Sequence, residues 1–150
     1  MKKETVKIKR IDVSDIKMFR KLVELFHEVF EEKDSVPDKK YLREILAKPG
    51  FNAFVAMNGN EVVGGITAFE LPKYSTKGSE LFIYDVAVKK ELQRKGVGKQ
   101  LIKTVKEYCK KMGIKEIFVA ANEEDKHALK FYKSTKAEAE RVVHFNYSVN

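Results

Sequence analysis

"YDVAVKKELQRKGVGKQLI", residues 84–102, is the stretch on which the rest of the chain is read. An apolar run gives way to charged residues, reaches Gly96 and Gly98, and resumes as Leu101, Ile102, Val105, Tyr108, Cys109 and Met112. Those last residues recur at steps of three and four, the spacing of an amphipathic helix. A strand, a glycine turn and a helix in that order leave about four amide N–H groups without partners at the helix start, where aligned peptide dipoles add positive character. Phosphates bind in such places. Arg94 and Lys95 add charge beside the amides. The spacing is neither the glycine fingerprint of dinucleotide sites nor that of nucleotide P-loops. By itself it reads equally as a tight turn.

Upstream, "ELFIYDVAV" (80–88) is almost wholly aliphatic and aromatic and predicts a central strand. Downstream, Gly113 closes the helix, "IKEIFVAA" (114–121) predicts a second buried strand, "DKHALKFYKS" (125–134) a helix, and "RVVHFNYSV" (141–149) a last strand. Toward the N-terminus, "FNAFVAM" (51–57) and "EVVGGITAFEL" (61–71) flank Asn58-Gly59-Asn60, a hairpin signal. "TVKIKRI" (5–11) alternates as an opening strand, and a helix is expected from an N-cap at Ser14 through Ile16, Phe19, Leu22, Phe26 and Phe30. "KKYLREILAK" (39–48) predicts a shorter one before Pro49-Gly50. The order β-α-α-β-β-β-α-β-α-β describes a mixed α/β (α+β) fold over one expected domain, 1–150. Hairpins come first and a right-handed crossover between parallel strands follows.

Hydrophobic residues at 43% and charged ones at 35% suit a soluble chain with a real core. No run reaches the length of a membrane span, and "MKKETVKIKR" lacks the apolar centre of a signal peptide, so a cytoplasmic location without membrane contact is expected. The single Cys109 rules out an internal disulfide and falls on the apolar side of its helix, where it reads as a small core hydrophobe. His27, His127 and His144 form no grouping that suits a metal, and none is expected. The net charge of +8 raises a nucleic-acid reading. Lysines are spread along the chain and interleaved with glutamates, which speaks for solubility and against a nucleic-acid partner.

The run from "YDVAV" through Gln93-Arg94-Lys95-Gly96-Val97-Gly98 resembles the acetyl-CoA motif of the GNAT acetyltransferases, Q/R-x-x-G-x-G/A, and "ALKFYKS" resembles that family's A-x-x-F/L-Y segment. The resemblance implies the acyl-CoA N-acyltransferase fold, a mixed central sheet splayed between two parallel strands and flanked by helices. It also implies acetyl-CoA as co-substrate. The amides from Arg94 through Lys95, Gly96, Val97 and Gly98 to Lys99 would receive the pyrophosphate, and Gln93 would belong to the same cofactor-binding turn. The backbone of Val86, Ala87 and Val88 would pair with the pantetheine arm as an added strand. A backbone N–H there would face the thioester oxygen, a donor type that lowers a barrier by roughly 3 kcal/mol. Tyr132 matches the family's tyrosine that protonates the departing thiolate, a transfer close to balanced for a phenol of pKa near ~10. Read on its own, Tyr132 equally packs with Leu129 and Phe131.

Asp85 stands in a strand otherwise too apolar for a carboxylate, and an unpaired buried charge is costly. Alternation sets it opposite Tyr84 and Val86 and on the face of Ile83 and Ala87. It could hold a cationic amine or take its proton through water; it could equally pair with a lysine or cap a loop. "EVVGGITAFELPK" (61–73), "SELFIYDVAV" (79–88) and "VVHFNY" (142–147) resemble the aminoglycoside 3-N-acetyltransferases within the superfamily. That narrower resemblance implies a role for Asp85 at the substrate amine. A polycationic acceptor wants acidic walls: Glu123, Glu124 and Asp125 are expected at the carboxyl end of the sheet, with Asp125 also readable as a helix N-cap. Glu80 and His144 are further candidates. Glu28, Glu31, Glu32 and Asp34 form a second acidic group, readable as a solvated face. Lys136-Ala137 replace the glycine and apolar residue usual in the family, and distortion of the following loop is expected.

The reading is an acetyl-CoA-dependent N-acetyltransferase in which a bound amine attacks directly, without a covalent enzyme intermediate. The acceptor is expected to be a small-molecule amine, an aminoglycoside at its 3-N position or a related polycation. The alternatives are another small amine, a protein lysine or N-terminus, or a CoA-binding module without catalysis. A nucleic-acid binder would instead show steep salt dependence. The apolar final strand offers an edge for a homodimer.

Overall fold

Alternation in residues 6–11 becomes β1 (Val6–Ile11), the edge of a five-stranded sheet in the order β1-β2-β3-β4-β5. The computed structural model describes residues 5–150; residues 1–4, and with them part of the signal-peptide reading, lie outside. The chain divides into two units, Met1–Ala120 and Ala121–Asn150.

In the first unit, β1 is followed by a 3-10 turn and α1 (Ile16–Val29). The predicted cap at Ser14 is displaced: Asp12 caps the turn, its carboxylate accepting from the Ser14 amide at 2.9 Å, because Asp15 completes a reciprocal capping box with it. α2 (Lys39–Leu46) starts at Asp38, whose carboxylate accepts from the Tyr41 amide at 2.9 Å. β2 (Phe51–Asn58) and β3 (Glu61–Pro72) form the expected hairpin, closed by Gly59 and Asn60 with Gly59 at φ 60°. β4 (Ser79–Val88) pairs antiparallel with β3, and after α3 (Val97–Met112) the chain returns as β5 (Glu116–Val119), parallel to β4. β5 is shorter than the eight residues its composition suggested.

Two apolar layers hold the sheet. Ile16, Phe19, Leu22 and Phe26 of α1, with Leu42 and Leu46 of α2, cover one face through Ala53, Val55, Val62 and Ala87. Leu101, Val105 and Cys109 of α3 cover the other through Phe54, Ile66, Leu81 and Ile83. Cys109 is thus a core side chain, and burial raises its thiol pKa. α1 packs tightly on Gly65: a Cβ there would collide with Leu22 and lie 2.6 Å from the Phe54 carbonyl oxygen.

The second unit contains α4 (Lys126–Ser134). Asp125 is its N-cap, accepting from the Ala128 amide at 3.0 Å. At the other end Lys136 adopts φ 69° itself, with its amide donating to the Lys133 carbonyl and that of Ala137 to the Tyr132 carbonyl. The left-handed turn survives the missing glycine, at a cost on the order of 1 kcal/mol for a side chain in that region. The expected last strand is not formed. Residues 141–149 make no ladder, and Val142, Val143, Phe145, Tyr147 and Val149 are exposed, because strand composition gives a strand only where an edge is there to pair with it.

Candidate active site

The glycine turn brings the chain into α3 with no side-chain cap at the helix start. β4 ends at Val88, a 3-10 turn spans Lys90–Leu92, and the Gln93 side-chain amide donates to the Val88 carbonyl at 3.0 Å, fastening the turn to the strand. Arg94 (φ 64°) and Gly96 (φ 88°) both take left-handed backbone. A Cβ on Gly96 would meet nothing within 4 Å, so it is the dihedral that calls for glycine there. α3 has no side-chain cap, and the first main-chain bond back to the turn is Gln100 N–H to the Gly96 carbonyl at 3.0 Å. The amides of Val97, Gly98 and Lys99 precede that first bond and receive no side-chain cap. Val97 is buried and anchors the helix start, while Arg94, Lys95 and Lys99 are exposed around it. A helix N-terminus with open amides and flanking cations fits the diphosphate of coenzyme A.

Beside this cradle the sheet opens. β4 and β5 pair only from Glu80↔Glu116 to Ile83↔Val119, whereas β4 continues with β3 to Val88↔Gly64. Among the described residues Asp85–Val88 therefore has a ladder partner on one side only, with the Val88 carbonyl taken up by Gln93. Val86, Ala87 and Val88 lie in this stretch. An extended ligand arm could continue the sheet there.

Asp85 sits at the start of the opening, on a different face from the one alternation gives. Thr67 pairs with Asp85 but the next residue, Ala68, pairs with Ile83, so Tyr84 is an extra residue, a β-bulge. The bulge turns Asp85 away from the α3 face, where Ile83 packs, to the α1 face it shares with Ala87. It brings Tyr84 to the same face, as the ring contacts of Tyr84 with Phe69 (5.8 Å) and Phe82 (6.1 Å) show. The expected grouping of Asp85 with Ile83, opposite Tyr84, is thereby corrected. Asp85 is half-buried, and burial raises its carboxyl pKa above the usual carboxylate value. A carboxylate held this way is a better proton acceptor than a solvated one.

The bulge also sets Glu80 on the face of Asp85, next to Glu116 of β5 in register. Glu116 and the aromatic side chains of Phe82, Tyr84 and Phe118 share that face, and the sequence reading does not single them out. The alternation of Glu116 and Phe118 with the half-buried Ile117 and Val119 is the sequence signal that finds the first and last of these.

In the second unit, the Asp125 carboxylate is engaged in capping α4, Glu124 is exposed, and Glu123 pairs with Arg141 at 3.6 Å on the surface. Tyr132 is half-buried on α4 with its ring 5.2 Å from that of Phe131. His144 is exposed in the segment that forms no strand. Among the described residues no group of three His, Cys, Asp or Glu is arranged to hold a metal ion, and no helix is long and apolar enough to cross a membrane.

The acetyltransferase (GNAT) family profile matches residues 19–135. An aminoglycoside acetyltransferase from an uncultured soil metagenomic sample, solved with trehalose and with sisomicin, is 39% identical and superposes with a TM-score of 0.94 over 97% of each chain. A second soil metagenomic aminoglycoside acetyltransferase is 32% identical, with a TM-score of 0.91 over 97% of this chain and 99% of that one. Aminoglycoside N-acetyltransferase AAC(6')-Iy, solved with CoA, shares the fold at 19% identity, with a TM-score of 0.81 over 99% and 98%. No curated protein sequence matches the chain. The open helix start, the strand pair that parts after Ile83 and these matches agree: the chain belongs to the GNAT family and is an N-acetyltransferase.

Proposed function

We propose that the protein acetylates an amine of an aminoglycoside or a closely related polycationic amino sugar, with acetyl-CoA as donor. The observation that carries this is the half-buried Asp85, turned by the Tyr84 bulge onto one face with Glu80 and Glu116 beside the opening of the sheet. Negative charge and aromatic surface together suit an aminated sugar. The two soil metagenomic relatives, at 39% and 32% identity, are both aminoglycoside acetyltransferases, which supports the same acceptor class. Acetyl-CoA supplies an activated acyl group when bound. The amides of Val97, Gly98 and Lys99, with Arg94 and Lys95, hold its diphosphate, and residues 86–88 line its arm.

Asp85 receives the ammonium group and, directly or through water, takes the proton that must leave before nitrogen can attack. The attack is direct, and no Ser or Cys carries the acyl group. Tyr132 is assigned the return of a proton to the leaving thiolate by its match to the family motif. Gln93 belongs to the cofactor-binding turn, which its side-chain amide fastens to the Val88 carbonyl. Glu123, Glu124 and His144 are acceptor-wall candidates, and Asp125 is already committed to its cap. The 3-amine is the proposed position on the acceptor, and a homodimer in the cytoplasm is the proposed state.

A thiol-release assay over aminoglycosides, polyamines, a lysine peptide and an N-terminal alanine peptide tests the acceptor class. The aminoglycosides should exceed the others in kcat/KM by at least about tenfold, and NMR of the product reads the acetylated position. Preference for either peptide overturns the assignment.

A further inference from the structure

We propose that the Thr67 hydroxyl is the second oxygen of the amine site: with the Asp85 carboxylate it holds the acceptor nitrogen, and it keeps that hold after the carboxylate has taken a proton. This role rests on the reading of Asp85 as the group that receives the amine. Two polar side chains are buried among the described residues, Asn52 and Thr67. Asn52 is fully engaged, accepting from the Arg10 guanidinium at 2.8 and 3.0 Å and donating to the Gly50 carbonyl at 3.2 Å. Thr67 is 6% exposed, and its hydroxyl makes no hydrogen bond among the described residues. Other hydroxyls are spent on the main chain, as those of Thr104 and Thr135 are on the carbonyls of Gln100 and Tyr132. A buried hydroxyl without a partner costs stability, so one that is kept calls for a use outside the fold.

The bulge at Tyr84 puts that hydroxyl beside the carboxylate. Thr67 and Asp85 are direct partners across the ladder of β3 and β4. Ile66 and Ala68 pack on the α3 side, which leaves Thr67 on the α1 side with Asp85 and Ala87. Side chains directly opposite in an antiparallel pair have Cβ atoms about 4.5–5.5 Å apart. Two oxygens that accept from one tetrahedral nitrogen at about 2.9 Å stand about 4.7 Å apart, so a single amine can reach both. Near the pair the face is uncharged: Ala53 is the β2 partner of Thr67, and Leu22 of α1 covers Gly65, two residues back along β3. The charged groups of the face lie toward its ends, Glu80 and Glu116 at one and the ion pair of Lys89 with Glu61 at the other.

An ammonium group can donate one N–H to a carboxylate oxygen and a second to the Thr67 oxygen. Proton transfer then breaks the first N–H bond, forms an O–H bond on Asp85 and leaves the electron pair on nitrogen for the thioester carbon. Thr67 neither gains nor loses a proton. It goes on accepting from an N–H of the neutral amine, which fixes the direction of the lone pair once the charge that drew the amine in has gone. Asp85 alone has no such second hold.

Steady-state kinetics with sisomicin as acceptor, read beside urea unfolding, test this. Thr67→Val keeps the shape and removes the oxygen. It should lower kcat/KM for sisomicin by about ten- to a hundredfold, through kcat as well as KM, while the KM for acetyl-CoA stays within about twofold. Its urea midpoint should equal or exceed that of the parent, because the hydroxyl it removes has no partner in the fold. Thr67→Ser keeps the oxygen and should recover kcat/KM to within about threefold of the parent. A packing role reverses the order, with Thr67→Val active and Thr67→Ser impaired. Should Thr67→Val fail to fold, Thr67→Ala takes its place against Thr67→Ser. Thr67→Val as active as the parent, or Thr67→Ser no better than Thr67→Val, overturns the proposal alone when Asp85→Asn is impaired. A parent inert toward sisomicin, or Asp85→Asn at full rate, overturns the reading of the amine site and this proposal with it.

Discussion

The two halves of β4 are equally apolar in sequence yet do different work. Glu80–Ile83 is laddered on both sides, to β3 and to β5, and buries Leu81 and Ile83 completely or nearly so against α3. Tyr84–Val88 carries a bulge at its first residue, pairs beyond it with β3 alone among the described residues, and includes a carboxylate at Asp85. One half is scaffold, and the other is where the proposed site lies. What separates them is a single extra residue and the early end of a neighbouring strand, not a change in composition. A bulge re-aims every side chain beyond it, and a strand that stops short leaves an edge that a ligand can complete.

The largest effect expected is on the site half. Asp85→Asn keeps size and loses the proton acceptor, so kcat/KM for the amine should fall by about a hundredfold to ten-thousandfold while the KM for acetyl-CoA changes little. Steady-state kinetics with both substrates varied would check this. An unchanged rate would make Asp85 another scaffold residue and erase the contrast.

Leu81→Ala tests the other half. A fully buried leucine replaced by alanine should lower stability by about 2–5 kcal/mol in urea unfolding. In the folded fraction kcat should stay within about twofold of the parent, since Leu81 faces α3 and not the side of Asp85. Loss of turnover without loss of stability would mean that the two halves are not separable.

Most of this contrast was legible in the sequence, and its sharpest part was not. The glycine turn, the helix after it and the hairpin at Gly59 follow from periodicity and turn chemistry, which are local. The motif position of Gln93 is read from the sequence, whereas the hydrogen bond from its side-chain amide to the Val88 carbonyl is a contact that only the folded turn creates. The bulge at Tyr84 has no local signature, because a pleated strand and a bulged one accept the same residues; it appears only in the register with Thr67 and Ala68. Without it, alternation sends Asp85 to the wrong face. Residues 141–149 failed in the opposite way. Their local pattern is a strand, and whether a strand forms is decided by an edge the pattern cannot supply. Lys136 shows that a missing glycine need not change a turn, since a lysine holds the same left-handed conformation.

The smallest effect expected concerns what the carboxylate does to the fold. Burial raises the Asp85 carboxyl above its usual value, so the folded state disfavours its charged form. For a group whose folded pKa lies above the unfolded one, stability is lower at high pH and recovers as pH falls through the folded value toward the unfolded one, near ~3.9. Asp85→Asn should therefore be slightly more stable than the parent at pH 7, by less than about 1 kcal/mol because water still reaches the group and screens it. The difference should shrink toward zero as pH approaches ~4. Parallel urea melts across that range would read it. A variant less stable at neutral pH would show that the carboxylate is held by attraction rather than tolerated at a cost. It would then belong with the structural half of β4, whatever its effect on turnover.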